Sequence, residues 1–223
     1  TMAIYHERGA EAVFNLSSSP WTWQKNDKRN RVVRQILARS PLPFFYVNQV
    51  GSQNNGKNIV VYDGDSTAYA ADGEIVRRAE PWREQLVLTR GESGIAVSQS
   101  EVAAQCEGII TGLQHLDHLR GTENKFLIAA SGGVDSSVVV CLLERAFGSE
   151  RVFAVNMPTR FNAAITQDNA RDLCAALDID YLSCPINELY ETVSALVKRA
   201  ELKTSPGGYT RLVDENIQAR IRF

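Results

Sequence analysis

The residues best suited to chemistry stand together in one short run, Ala130-Ser131-Gly132-Gly133-Val134-Asp135-Ser136-Ser137. Two adjacent glycines let a backbone bend tightly and turn its amide hydrogens toward an anion with no side chain in the way. Ser131, Ser136 and Ser137 add hydroxyl donors suited to phosphate oxygens. Asp135 cannot attract a phosphate; its chemistry beside one is to hold Mg²⁺ against it. If a helix opens here, its N-terminus adds unpaired amides and a partial positive charge. The same residue types also describe an ordinary helix N-cap preceded by a glycine turn. A Walker A loop is excluded, because no Gly-Lys-Ser/Thr follows the glycines.

The surrounding elements decide whether the loop is placed to work. An apolar run, Phe126-Leu127-Ile128-Ala129, precedes it, and a helical pattern follows to about Phe147, with Gly148 as C-cap. Two further runs, Val152-Phe153-Ala154-Val155 and Tyr181-Leu182, alternate with helices and lack polar alternation. Such strands belong to a parallel sheet buried on both faces, in a doubly wound α/β layout. Upstream, Ser98 and Glu101 have capping-box spacing. They open a helix whose apolar positions are Val102, Cys106, Ile109, Ile110, Leu113 and Leu116.

The first ninety residues read differently. Ala12-Val13-Phe14-Asn15-Leu16 predicts a buried strand, and the polar loop Ser17-Ser18-Ser19-Pro20-Trp21 follows it. A basic amphipathic helix over 25–39 carries Val32, Val33, Ile36 and Leu37 as its apolar stripe and ends before Pro41 and Pro43. Strands are predicted at 44–47 and 59–62, a hairpin at Asp72-Gly73, and a short helix at 2–8. The chain therefore divides into 1–90, a glycine-bearing linker at 91–97, and 98–223.

The 223 residues are 44% hydrophobic and 22% charged, enough apolar material for a sizeable core. A net charge of -2 gives no electrostatic reason to expect nucleic acid or a membrane surface as partner. No apolar run is long enough to cross a bilayer, and Thr1-Met2-Ala3-Ile4-Tyr5-His6-Glu7-Arg8 lacks the pattern of a signal peptide. Cys106, Cys141, Cys174 and Cys184 have no metal-ligand spacing and read as buried small hydrophobes in a reducing, cytoplasmic compartment.

Set in its strand–loop–helix context, SGGVDSS resembles the PP-loop of N-type ATP pyrophosphatases, which split ATP between the α and β phosphates. Three features narrow the resemblance to glutamine-dependent NAD synthetases. The run Asp214-Glu215-Asn216-Ile217-Gln218-Ala219-Arg220-Ile221-Arg222 is similar to that family's E-N-x-Q-A-R-x-R signature. It sets Asn216 and Arg220 one helical turn apart, although a solvated polar helix would look the same. Val155-Asn156-Met157-Pro158-Thr159-Arg160 resembles the Met-Pro-Ser/Thr segment that the family carries beside the adenosine. Asn15 to Trp21, Lys25 and Arg29, Tyr46 to Gly51, and Asp63-Gly64-Asp65-Ser66 resemble the nitrilase-like glutaminase domain of the same enzymes.

The resemblance implies a partial nitrilase-like α-β-β-α sandwich followed by the start of an adenine nucleotide α-hydrolase-like domain. It implies ATP on Ala129, Ala130, Ser131, Gly132, Gly133, Val134, Asp135, Ser136 and Ser137, with Mg²⁺ on Asp135. Deamido-NAD would meet Asn216 and Arg220, and glutamine would meet Ser19 and Lys25. Ser19-Pro20 as a turn and Lys25 as a solvated helix residue is the blander reading of that last pair. The implied reaction is ATP-dependent amidation of deamido-NAD with ammonia from glutamine, through an adenylated intermediate, in an enzyme that self-associates. None of the Glu, Lys and Cys of the family's glutaminase triad is present; they are expected before Thr1, and further ATP and deamido-NAD contacts after Phe223. Another PP-loop amidotransferase or ligase, or a non-catalytic nucleotide-binding fragment, remains the alternative.

Overall fold

The structure, a computed structural model, describes residues 2–89, 99–121, 124–200 and 209–222. The linker predicted at 91–97 and the cap predicted at Ser98 lie outside the described residues. Contacts divide the chain into two compact units, Thr1–Thr122 and Glu123–Phe223.

The first unit runs α1 (Met2–Glu7), β1 (Val13–Ser17), α2 (Lys25–Leu37), β2 (Phe44–Asn48), β3 (Val50–Asn54), β4 (Ile59–Asp63), β5 (Thr67–Tyr69), β6 (Ile75–Arg78) and α3 (Glu101–Arg120). Four strands form one sheet in the order β1-β2-β5-β6, with β1 and β2 parallel and the other pairs antiparallel. Val33 and Leu37 of α2 pack on Phe44, Tyr46 and Tyr69, with Met2, Val13 and Ile75 at the margin. The β5–β6 hairpin turns through Gly73, whose φ of +88° is costly for any residue with a Cβ.

Three expectations need correction here. Val32 and Ile36 are exposed, so the apolar stripe of α2 narrows to Val33 and Leu37. The strand at β1 forms, yet Phe14 and Leu16 are 67% and 78% exposed, because the described residues leave that face of the strand largely uncovered. The N-cap of α3 is Ser100, whose Oγ accepts from Ala103 N at 3.2 Å. Glu101 accepts instead from Gln24 N at 2.9 Å. The β3–β4 hairpin was not foreseen as a pair; α3 lies against it, with Gly108 near Trp21, Val61 and Trp82.

The second unit runs β7 (Phe126–Ala129), α4 (Val134–Phe147), β8 (Val152–Asn156), α5 (Ala164–Ala176), β9 (Asp180–Ser183), α6 (Asn187–Arg199) and α7 (Arg211–Arg220). The strands are parallel, in the order β7-β8-β9, and α4 and α5 connect and contact them. This is the strand–helix alternation of an α/β domain. Val152 and Ala154 are fully buried on one face, whereas Leu127 and Leu182 on the other are 72% and 49% exposed. The strands are therefore not covered on both faces by the described residues. Of the cysteines, Cys174 is buried, Cys106 and Cys141 are half-buried, and Cys184 is exposed at the end of β9, contrary to its expected burial.

Candidate functional site

In the second unit the site grows from the carboxyl edge of the sheet. Ala130 N donates to Val155 O at 2.9 Å, and the buried Asn156 donates its Nδ2 to Ala130 O at 2.6 Å. The base of the glycine loop is thus fixed to the middle strand from both sides. Gly132 has φ +78°, and a Cβ there would lie 1.7 Å from the Thr166 carbonyl oxygen. The loop therefore sits directly on the first turn of α5.

The serine hydroxyls are engaged within the loop. Ser136 Oγ and Ser137 Oγ both donate to Gly133 O, at 3.1 and 2.9 Å. Ser131 N donates to Ser136 Oγ at 3.2 Å, and Gly133 N to Ser131 Oγ at 3.3 Å. Ser137 N closes the first turn of α4 onto Gly133 O at 3.1 Å. The amides of Val134, Asp135 and Ser136 in that turn have no intrahelical acceptor. These amides, more than the hydroxyls, are what the loop offers an anion. Asp135 is exposed at the same turn.

No group of three or more His, Cys, Asp or Glu among the described residues could hold a metal by itself. One exposed carboxylate beside an anion-binding turn fits Mg²⁺ arriving with phosphates, since that ion is commonly held by one or two carboxylates plus phosphate oxygens. Ala129 ends β7 and the buried Ala130 is its exit, so the loop runs from the strand directly into α4.

Beside it, residues 157–162 leave β8 and meet α7. Thr159 is buried at 3% exposure, and its N and Oγ1 both donate to Asn162 Oδ1, at 2.8 and 2.9 Å. Thr159 Oγ1 also lies 3.1 Å from Gln218 Oε1. Arg222 donates to Met157 O at 3.2 Å and to Asn162 Oδ1 at 3.3 Å. Farther along, Asp214 accepts from Tyr190 at 2.6 Å and from Tyr209, and these bonds hold its carboxyl below the usual aspartate range.

Asn216 and Arg220 lie on the outer side of α7, both exposed, with Asn216 Nδ2 bonded back to Leu212 O at 2.8 Å. The sequence reading singled out those two and overlooked Gln218 and Arg222. The signal was available: Val213, Ile217 and Ile221 recur at helical spacing and mark the inward face, which Asp214, Gln218 and Arg222 flank. Asn156, named only as part of a segment, is the residue that ties the glycine loop down.

In the first unit, Ser19 is held through its backbone. Ser19 N donates to Asn48 Oδ1 at 2.8 Å, and Asn48 Nδ2 donates to Ser19 O at 3.1 Å. Lys25 is half-buried, with Nζ donating to Pro20 O at 2.6 Å; burial and then the nearby Arg29 lower its pKa. Ser19 and Lys25 thus flank one short turn, and Lys25, with Arg29, Asn15 and Tyr46, lines a cavity of about 890 Å³ that Ser19 does not line. Behind them Asp65, fully buried, accepts from both Arg29 and Arg78. Asp63 accepts from Asn26 Nδ2 at 2.7 Å, and its pKa is raised chiefly by burial.

The family model for NAD synthase matches residues 109–223, which include the glycine loop, the β8 exit and α7. The chain belongs to the NAD synthase family. A glutamine-dependent NAD(+) synthetase of Synechocystis sp. is 28% identical over 97% of this chain and 39% of its own length. One from Aquifex aeolicus is also 28% identical, over 96% of this chain and 43% of its own length. The chain thus spans about two fifths of the curated relatives it matches. The solved structure of the Acinetobacter baumannii glutamine-dependent NAD+ synthetase in complex with adenosine diphosphate superposes with TM-score 0.83 at 22% identity. That superposition covers 99% of this chain and 41% of the other, so this NAD synthase chain has the fold of both portions it spans.

Proposed function

We propose that the protein carrying this chain is a cytoplasmic glutamine-dependent NAD synthetase, with 1–90 from its glutaminase domain, 91–97 as linker and 98–223 from its ATP-pyrophosphatase domain. The observation that carries the reading is the joining of an anion-binding glycine loop to a neighbouring helix face through one strand exit. ATP lies with its phosphates on 129–137, where the Val134, Asp135 and Ser136 amides face the charge that develops as pyrophosphate leaves. Mg²⁺ held by Asp135 would neutralise phosphate charge. Deamido-NAD is bound by Asn216 and Arg220 on the exposed side of α7; its carboxylate attacks the α-phosphorus, and the α–β bridging oxygen leaves with pyrophosphate. Ammonia then adds to the acyl adenylate carbonyl, AMP departs with the C–O electron pair, and the amide of NAD remains. In the first unit, Ser19 and Lys25 hold the glutamine that supplies the ammonia.

The test is pyrophosphate release by the full-length protein with ATP, deamido-NAD and ammonium. Release that requires deamido-NAD and is lost in Asp135→Ala is the expected result. Release only with a different acceptor would leave the ATP chemistry standing and overturn the substrate assignment.

A further inference from the structure

The bonds between the β8 exit and α7 have a consequence for the proposed reaction, and rest on that reading for its two substrates. Thr159 lies in the loop assigned to the nucleotide, whereas Gln218 lies on the helix assigned to the acceptor. The Thr159 hydroxyl carries one proton, yet it faces two amide oxygens, Asn162 Oδ1 at 2.9 Å and Gln218 Oε1 at 3.1 Å. Turning the Gln218 amide over satisfies all three groups: Thr159 donates to Asn162, and Gln218 Nε2 donates to Thr159 Oγ1. Arg222 spans the same joint, from Met157 O to Asn162 Oδ1, and is itself braced by donating to Gln218 O at 3.0 Å.

We infer that Thr159 and Gln218 are positioning residues that lock the nucleotide loop and the acceptor helix into one piece. Thr159 is 3% exposed, so water cannot readily replace the lost partner. The loop in turn connects back to the phosphates: β8 ends at Asn156, whose side chain holds Ala130 O at 2.6 Å. Moving α7 therefore moves the loop, and moving the loop moves α7. The acceptor carboxylate and the α-phosphorus must meet within about 3–3.5 Å for attack, so a joint of this kind sets their relative placement.

The test is a crossed measurement on the full-length protein, using ammonium as nitrogen donor. Thr159→Val removes the hydroxyl at nearly constant volume, and Thr159→Ser keeps it. Gln218→Leu removes the amide from the helix side. Loss of one part-buried hydrogen bond predicts roughly threefold to tenfold effects. Thr159→Val, on the nucleotide loop, raises KM for deamido-NAD as well as ATP; Gln218→Leu, on the acceptor helix, raises KM for ATP as well. Thr159→Ser restores both constants to near the parent values. Amide hydrogen exchange supplies a readout independent of the substrates: Thr159→Val deprotects 216–222, and Gln218→Leu deprotects 157–162. Effects confined to the segment and substrate of the mutated side overturn the joint. If the parent protein does not use deamido-NAD, the functional reading fails, while crossed or uncrossed exchange still decides the coupling.

Discussion

Gly132→Ala tests whether the glycine loop is held by the body of the domain or merely drapes over it. At φ +78° an L-residue pays about 1–2 kcal/mol for a left-handed backbone. The added methyl would also sit 1.7 Å from the Thr166 carbonyl oxygen, with Ala170 N at 3.1 Å; both are α5 backbone atoms that cannot rotate aside. Relieving such an overlap costs a further ~1–3 kcal/mol. The expected local destabilisation is therefore about 2–5 kcal/mol, a large share of a typical domain's stability. Gly133→Ala is the control: its φ is -81°, and its nearest non-neighbour atom would be Ser131 Oγ at 3.5 Å, ordinary contact. Native-state hydrogen exchange of the β7 and α4 amides in the full-length protein, in a urea series, reads both variants in place. Gly132→Ala should lower the opening free energy by the stated amount, and Gly133→Ala should stay within about 0.5 kcal/mol. Equal, small effects from both would refute the claim that the loop rests on α5.

Two further predictions concern acids, the buried Asp63 and the half-buried Asp214. Asp63 has a raised pKa, so the folded state prefers its protonated form; its contribution is present below the unfolded pKa and is lost as pH rises through the folded value. Asp63→Asn should therefore stabilise the first unit near neutral pH and give no gain in acid, read by urea melts across pH. Asp214 behaves oppositely: its lowered pKa contributes stability above the ordinary aspartate range and loses it as pH falls through the folded value. Asp214→Asn should flatten that acid limb and loosen α7 by about 1 kcal/mol at neutral pH, measured as exchange of the 211–220 amides.

The strand at 126–129, the helix to Phe147 and its Gly148 cap were legible because each announces itself locally. An apolar run, paired glycines and a terminal glycine are sequence-adjacent signals. Residues whose roles depend on distant partners were not legible. Asn48 reaches back to Ser19 across 29 positions, and Thr159 reaches Gln218 across 59, and no local pattern names the distant partner of either. The capping error has a similar source: Ser98 and Glu101 satisfy the spacing rule, but a carboxylate can equally serve a remote amide, and Glu101 serves Gln24. Exposure misled for a different reason. Phe14, Leu127 and Leu182 are apolar enough to predict burial, but burial requires a covering element, which local pattern cannot supply.

The arrangement of the candidate site follows from β8 being the middle strand. Parallel strands all end at the same edge, so the three segments leaving β7, β8 and β9 must emerge side by side. Three backbone hydrogen bonds between neighbouring segments at that edge run through β8 or its exit. Ala130 N is bound by Val155 O, Cys184 N by Asn156 O, and Ile186 N by Pro158 O. The glycine loop and the approach to α6 are thus each tied to β8 or its exit, and α7 joins through Thr159. A change at the end of β8 should consequently disturb both neighbours. A change at the end of β9 should reach the glycine loop only indirectly, through β8 or through α5, and so more weakly. That asymmetry comes from strand order and backbone bonding, whichever substrates the assembled protein uses.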